Sequence, residues 1–521
     1  MAVAWIVVIL PIAMLLAGTI RLRETIMPIT PPELAERAAV IGIVLAGYSA
    51  IYVIVFGPTT SPFLGLGQVG LSVLLDIVSA TFLLLMSFLA WVILRFSSTH
   101  LQGEEGEGCF TFWACLVLAG IVFLVTSGNL VQFGLGWVTT TIGANQLLIF
   151  YPHRLGERSA ACRRTVFART ADIALAVGLL LLYAAYGEAD ITSINEAARA
   201  GIVPAVAVLA AACLAIAAVL QSALLPVHGW LVDAIETPTP ASALLHAGVV
   251  SVGGFLLIRF ADVMLGAPII LAILVIVGGF SALVGSDVML TQSPVKTALA
   301  WSTVSQMGFI VLLCGLGLFP LALLHIIAHA LYKTYAFLTA AKASRLTRSG
   351  RQLDPLAHPS DRDVAQAMGV AIIIYALVVL PLGLVEKSPQ AVALGAILVF
   401  GTGYLVAQGL ADATPRALCV AVARASVMFA ASYFGLQWIA QKMTAWTFPP
   451  TPQAGPLEWM LIALTLLSFG AAAVLQVLLP RWSTHPVVRE LRVHAVNGFY
   501  LNALTDRFVG AWKTDPRNEE I

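Results

Sequence analysis

Three ionisable side chains, His325, His329 and Lys333, lie four residues apart in an apolar stretch from residue 319 to residue 341. At 3.6 residues per turn, a helix places all three on one face. Ionisable groups at membrane depth are costly and usually line polar cavities or ion routes. The spacing therefore predicts a proton path. The alternatives are a lysine that snorkels to the interface or a satisfied core pair, but Lys333 lies far from both ends of the stretch.

The composition indicates which elements hold these side chains. Hydrophobic residues make up 60% of the 521 residues, charged residues make up 11%, and the mean hydropathy is +0.93. Apolar runs long enough to cross a bilayer recur along the whole chain, which predicts an all-α polytopic membrane protein with about 14 or 15 transmembrane helices. The first run, Ala4 to Ile20, has no basic segment before it and no convincing cleavage site, so we expect it to remain as the first helix.

Several classes of function are disfavoured because the sequence lacks their motifs. The six cysteines show no CxxC pair and no histidine at ligand spacing, which argues against a disulfide framework or a zinc site. The net charge of +1 gives no indication of nucleic-acid binding, and no nucleotide-binding glycine loop is present. We therefore expect an ion-conducting subunit rather than an enzyme, with no metal or cofactor in this chain. The cysteines are Cys109, Cys115, Cys162, Cys213, Cys314 and Cys419.

Charged residues between the apolar runs predict the orientation. Four arginines, Arg154, Arg158, Arg163 and Arg164, are interpreted as one basic loop. By the positive-inside rule, the N-terminus is expected on the periplasmic side of a bacterial inner membrane, and the loop around residues 345–362 and the tail are expected in the cytoplasm. That arrangement needs an odd number of crossings and favours about 15.

Two apolar runs are interrupted by proline or glycine, and the tail differs in composition from the rest of the chain. Prolines at 238 and 240 precede His246, and a Pro-Leu-Gly segment at 381–383 precedes Glu386 and Lys387. Paired interruptions suggest an inverted repeat, or else ordinary proline kinks. The tail, 481–521, has apolar residues at three-to-four spacing around a break at Asn497 and Gly498, which is typical of short amphipathic helices on a membrane face or against a partner.

The order of polar motifs resembles that of the antiporter-like subunits of respiratory complex I and of multisubunit sodium/proton antiporters. The motifs are LPVHGWLVDA at 225–234, PTPASALLHA at 238–247, KTALAWSTVSQMG at 296–308 and HIIAHALYK at 325–333. This resemblance implies a transmembrane domain over residues 1–480 with two inverted five-helix repeats, at about 109–265 and 268–410. Each repeat is expected to contain a broken helix and a buried lysine.

The resemblance also implies roles for individual residues. His246 matches the histidine between the halves, and Lys296 matches a lysine of the central axis. Arg169 and Asp172 match the acid of the sixth helix and its basic neighbour. This pair is a relic of a lost relay, a structural ion pair or a charge that biases the central histidine, and we favour the structural role. The relay of the second half is matched by His325, His329, Lys333 and Lys387. We expect protons from outside to pass Lys387, Lys333, His329 and His325 in that order toward the centre, unless Glu386 neutralises Lys387.

The first half departs from the pattern. Val138 stands where the family has a glutamate, and Gln221 stands where the broken helix carries its lysine. Neither side chain exchanges protons, so the acid/base relay of the first half is absent. Asp76 is expected to cap a helix or to form an ion pair. His228 and Asp233 flank the interruption and are equally compatible with partner contact and with conduction.

The tail sequence VHAVNGFYLNALTDR at 493–507, together with the chain length, resembles the DabB membrane subunits of inorganic-carbon accumulation systems. This resemblance implies a cytoplasmic, zinc-binding partner of the DabA type, similar to β-type carbonic anhydrases, and CO2 hydration driven by a gradient of protons or Na+. The alternatives are a proton- or sodium-translocating subunit of a respiratory or hydrogenase complex and a scaffold without conduction.

Overall fold

The computed structural model describes residues 2–24, 33–151, 155–234, 237–348, 361–379, 388–410, 416–478 and 485–509, and these are almost entirely helical. A short 3-10 helix, Ala2–Val8, leads into the first α-helix. The helices up to residue 221 are α1 (Ile9–Glu24), α2 (Leu34–Phe56), α3 (Ile77–His100), α4 (Glu107–Val125), α5 (Leu130–Leu148), α6 (Leu155–Tyr186), α7 (Ile191–Arg199) and α8 (Ala205–Gln221).

The remaining helices follow a broken segment. They are α9 (Gly229–Asp233), α10 (Thr239–Leu244), α11 (Ser251–Arg259), α12 (Ala261–Leu265), α13 (Pro268–Thr291), α14 (Val295–Gly315), α15 (Phe319–Arg348), α16 (Asp361–Val379), α17 (Pro389–Leu410), α18 (Arg416–Thr444), α19 (Pro456–Leu478), α20 (Pro486–Val496) and α21 (Leu501–Val509).

Length and hydropathy show which of the described helices could cross a membrane. Ten helical spans are long and apolar enough to cross a membrane, counting the stretch from α10 through α11 as one. With α5, α8, α16, α17 and α18, which are shorter or less apolar, the described part holds fifteen long helices. The fold class predicted from the sequence is therefore confirmed, whereas the boundaries of the two repeats remain predictions.

Two small hairpins mark one end of the bundle, which we call the hairpin face. Thr59–Thr60 pairs with Leu74–Leu75, and Leu64–Leu66 pairs with Val69–Leu71, both antiparallel. Directly below them, Asp76 caps α3 by accepting from the Ser79 amide at 2.7 Å. Its other oxygen lies 2.7 Å from Arg259 at the end of α11, and both side chains are buried. Asp76 therefore both caps a helix and forms an ion pair, the two roles that the sequence left open.

The tail occupies the opposite end, which we call the tail face. Its two helices are separated by a 3-10 turn, Gly498–Tyr500, at the predicted break. Gln292, in the turn between α13 and α14, donates to the Val496 carbonyl at 3.1 Å. The tail helix α20 packs against α13, while α21 packs against α6 and α9. The described tail is thus joined to helices from both halves of the bundle.

The structure corrects the interpretation of one charged segment. Arg163 and Arg164 were expected to be charges of a solvated loop, but both belong to α6 and are buried. Arg163 forms a 2.7 Å ion pair with Asp233 of α9. Counting basic residues along the chain cannot distinguish a solvated arginine from one that folds inward to meet a partner on another helix.

Candidate functional site

The stripe on α15 faces α14 and the interrupted helix. Lys333 is fully buried, and its Nζ donates to the Leu299 carbonyl at 2.8 Å. His329 Nε2 lies 3.1 Å from the His246 carbonyl, and His325 Nε2 lies 2.6 Å from Gln306 Oε1. The predicted common face is therefore confirmed. The three side chains do not contact one another through these bonds, because each meets a different partner across the helix interface.

His246 lies where the interrupted helix changes its hydrogen-bond pattern. The helix has a π-helical turn, Leu245–Val249, between α10 and α11. Such turns leave backbone groups available and often occur at functional sites. The His246 ring stacks on Phe337 of α15 with 4.3 Å between ring centroids. Its Nδ1 lies 3.0 Å from Thr303 Oγ1 on α14, so α10, α11, α14 and α15 meet at this histidine.

Thr303 connects the central histidine to the lysine of α15. Its hydroxyl donates to the Leu299 carbonyl at 3.1 Å, the same oxygen that accepts from Lys333. A hydroxyl has one proton, so the bond to His246 requires the imidazole Nδ1–H to be the donor. This tautomer leaves Nε2 of a neutral His246 free to accept a proton.

The same reasoning assigns the tautomers of the two histidines of α15. A carbonyl oxygen can only accept, so His329 donates through Nε2–H and its Nδ1 carries the lone pair. That Nδ1 is buried and has no hydrogen-bond partner. His325 likewise donates through Nε2–H to the Gln306 amide oxygen. Each neutral ring thus presents an unprotonated nitrogen, which is the group needed to receive a proton.

The remaining members of the predicted relay differ in what can be said of them. Lys296, at the start of α14, is half-buried, and its Nζ lies 3.5 Å from the Thr237 carbonyl in the interrupted segment. Lys296 therefore lies at the tail-face end of the group. Lys387 and Glu386 lie outside the described residues, so the position of that end of the relay remains a prediction.

A cavity of about 290 Å³ opens beside His325, between α13, α14, α15, α17 and α19. Its wall combines aromatic rings with a few polar groups, including the Gln306 amide that binds His325. A space of this size can hold several water molecules where polar partners are present. Other residues of the wall are Ser286, Ser305, Phe309, Phe400, Phe469 and Gln476.

One ionisable residue of this region was missed by the sequence reasoning. Asp287 on α13 is half-buried, and its Oδ1 accepts from Gln476 Nε2 at 3.1 Å. Gln476 also lines the cavity beside His325. A lone carboxylate near the end of an otherwise apolar helix was the signal that could have identified it, because ionisable residues in such helices are usually functional.

The first half has a carboxylate but no exchange partner at the substituted position. Asp172 accepts from Trp137 Nε1 at 3.0 Å and from Thr141 at 3.2 Å, and it pairs with Arg169 at 2.7 Å. These bonds tie α5 to α6, which fits the structural role favoured for the pair. Val138 follows Trp137 on α5 and packs against the hydrophobic core.

Gln221 ends α8 at the break. Its amide nitrogen donates to the Val249 carbonyl at 3.1 Å, and its Oε1 is buried without a partner. The next residue, Ser222, donates to the Val250 carbonyl at 3.1 Å. The two side chains thus fasten the broken end to the π-helical turn. A neutral amide can hold this position but cannot carry a proton as a cation.

His228 lies in the segment that follows the break and is completely buried. Burial lowers the pKa of His228 to about 4, so its ring is neutral at physiological pH. The ring lies 4.6 Å from that of Trp301, and its Nε2 has no hydrogen-bond partner. Of the two roles left open for His228, direct contact with a partner is therefore disfavoured in this conformation.

Comparison with known proteins identifies the family. Residues 127–400 match the family described as the transmembrane domain of NADH:quinone oxidoreductases and Mrp antiporters. The chain is 33% identical over 455 residues to a probable inorganic carbon transporter subunit, DabB2, from Halothiobacillus neapolitanus, which covers 85% of this chain and 81% of that protein. It is also 33% identical to the probable subunit DabB of Hydrogenovibrio crunogenus, over 53% of this chain and 55% of that protein.

A solved structure shows the same fold. The Mrp complex of Dietzia sp. contains a chain that superposes with a TM-score of 0.63 at 22% sequence identity, covering 98% of this chain and 60% of that one. This similarity supports the antiporter-like architecture, and the sequence comparisons narrow the family within it. The chain therefore belongs to the DabB family, within the antiporter-like membrane subunits related to NADH:quinone oxidoreductases and Mrp antiporters.

Proposed function

We propose that this chain is the membrane subunit of an energy-coupled inorganic carbon accumulation complex and that it conducts protons, or Na+, through its second half only. The observation that carries the proposal is the row of buried basic groups on α15, each held by a partner on α14 or the π-helical turn. The relatives named above as probable inorganic carbon transporter subunits support the carbon substrate.

The contacts favour a particular order for the path. His325 borders the cavity, His329 is bonded to the His246 backbone, and Lys333 shares the Leu299 oxygen with Thr303. A proton from the periplasm then passes the cavity and His325 first and reaches the centre last. This proposed order differs from that expected from sequence, in which Lys333 precedes both histidines of α15.

The centre is where alternation between two protonation states is possible. A neutral imidazole both donates and accepts, and a lysine in a dry site exchanges protons more readily than one in water. The central histidine can therefore pass a proton toward Lys296 at the tail face. The first half contributes no such step, since Val138 and Gln221 do not titrate.

The chemistry of CO2 hydration is assigned to a second subunit. Among the described residues, no group of three or more His, Cys, Asp or Glu side chains is placed to hold a metal ion. We propose that a cytoplasmic, zinc-binding subunit of the DabA type docks at the tail face and hydrates CO2 to bicarbonate. Protonation near Lys296 changes the electric field where that subunit docks. The orientation is N-terminus periplasmic and C-terminus cytoplasmic in a bacterial inner membrane.

The test is Lys333→Ala, expressed with its partner in cells that lack carbonic anhydrase, with growth in air compared with growth at high CO2. Loss of growth in air alone, with the complex still assembled, is the expected result, because the relay loses its most buried cation. Lys442→Ala is the matched control, since Lys442 is exposed at the end of α18 and should have no effect.

Two outcomes would contradict the proposal. Undiminished growth in air for Lys333→Ala would refute the proton relay and favour a scaffold without conduction. Failure of the wild-type pair to restore growth in air would favour the alternative, a proton- or sodium-translocating subunit of a respiratory or hydrogenase complex.

A further inference from the structure

Arg164 is the most deeply buried arginine of the described part and belongs to the half that has lost its relay. Its side chain is 1% exposed on α6, and its guanidinium carbon lies 4.2 Å from the centroid of the Trp230 ring. Two of its nitrogens, Nε and Nη2, are buried without any hydrogen-bond partner. The stacking covers one face of the guanidinium, but it does not satisfy the N–H groups in the plane.

The carboxylates near Arg164 are already engaged. Asp233 pairs with Arg163 at 2.7 Å, and Asp172 pairs with Arg169 at the same distance. Asp172 attracts Arg164 electrostatically, yet no ion pair joins them within the described residues. A buried charge without a hydrogen-bonded counter-ion is strongly unfavourable, and more so at membrane depth. The unsatisfied donors therefore indicate an anion that is not among the described residues of this chain.

A second unsatisfied group lies on the segment that stacks on Arg164. His228, two residues before the stacked Trp230, adds no charge because its ring is neutral. Its buried Nε2 is a further unsatisfied group on the same short segment.

The geometry of a guanidinium restricts which anion fits. Its N–H groups form a planar fork that matches planar oxyanions such as carboxylates, and it forms bidentate bonds that a spherical ion cannot form. Bicarbonate is planar and monovalent, and its O–H can also be donated to a neutral imidazole or an amide oxygen. We propose that Arg164 is the anchor of a bicarbonate site in the first half of this chain. This inference rests on the proposed carbon substrate and gives the first half a binding role in place of conduction.

The experiment measures binding rather than transport. The full-length chain, purified in detergent without any other subunit, is heated in bicarbonate and in chloride of equal ionic strength at mildly alkaline pH. A ligand that binds only the folded state raises the melting temperature saturably. We expect bicarbonate, but not chloride, to do so. Arg164→Gln should abolish the rise, and Arg164→Lys, which keeps the charge without the fork, should weaken binding about tenfold.

The controls separate a local site from a general charge effect. Arg37→Gln removes the same charge from an exposed i,i+4 pair and should retain the full rise. No rise over chloride in the wild-type protein, or an equal rise in Arg164→Gln, would overturn the proposal. If Arg164→Gln does not fold, Arg164→Lys tests the proposal alone. Unchanged affinity of that variant for bicarbonate would show that the guanidinium does not hold the anion by bidentate bonds.

The outcome is independent of the relay. Lys333→Ala leaves Arg164 and its neighbours unaltered, so that variant should still show the bicarbonate-dependent rise. Growth of Lys333→Ala in air would refute conduction by the second half, whereas loss of the rise in Arg164→Gln bears only on the anion site. The two proposals can therefore fail separately.

Discussion

Replacement of Thr303 by valine tests whether the central histidine takes part in conduction. Valine has nearly the same shape as threonine, so the change removes the hydroxyl and little else. The His246 Nδ1–H then loses its acceptor at 3.0 Å, and both groups are buried. An unsatisfied buried donor costs about 1–3 kcal/mol. Because the histidine must return to this tautomer in each cycle, that cost is added to the barrier.

The expected loss of rate follows directly. Since each 1.36 kcal/mol is a factor of ten, Thr303→Val should slow proton uptake about 5- to 150-fold. The measurement is uptake into proteoliposomes that contain the complex and a pH-sensitive dye, normalised to the amount of assembled protein. Thr303→Ser keeps the hydroxyl and should retain most of the activity.

A matched substitution controls for loss of stability. Thr465 on α19 is also buried, and its hydroxyl donates only to the Leu461 carbonyl at 2.8 Å. Thr465→Val should therefore conduct at nearly the wild-type rate. If Thr303→Val conducts at more than about half that rate, the bond between Thr303 and His246 does not limit transport, and the path proposed through the centre is refuted.

Two further predictions concern Asp76, which is buried, and Asp287, which is half-buried. Asp76→Ala should lower the free energy of unfolding by about 3–5 kcal/mol because it leaves Arg259 buried and unpaired, and added Arg259→Met should restore much of the loss. Burial opposes ionisation of Asp76, but Arg259 and the Ser79 amide keep its pKa below the ordinary value. The stability from this pair should persist above about pH 4 and disappear as the pH falls further. Unfolding of the protein in detergent, measured as a function of pH, checks this. Asp287→Asn should slow proton uptake at least about tenfold if the carboxylate exchanges protons with the cavity. An unchanged rate would make Asp287 structural.

The sequence predicted the common face of α15 because the information for it is local. The spacing of His325, His329 and Lys333 was enough to place them on one face, because helical periodicity depends only on neighbours along the chain. Their partners could not be predicted in the same way. Thr303 and Gln306 come from another helix, and nothing in their local sequence distinguishes them from other polar residues of apolar helices.

In the first half, the sequence identified the substituted positions but not the buried arginine. Val138 and Gln221 were recognisable as substitutions because a family pattern exists for those positions. Arg164 had no such pattern, and its neighbours suggested a basic loop. Only the packing of α6 against the segment around Trp230 reveals that this arginine is buried. Burial is a property of the tertiary structure, so an isolated charged residue gives no sign of it.

The position of the tail restricts how the two halves can move. It contacts α13 on one side and α6 and α9 on the other, and a Cβ atom on Gly498 would come within 2.8 Å of the Trp301 ring. A rocking motion of one half against the other, as in alternating-access carriers, would have to separate these surfaces in every cycle. The tail therefore acts as a brace across helices of the two predicted repeats. Under the proposed function, it favours conduction by small rearrangements of side chains and water within a fixed frame.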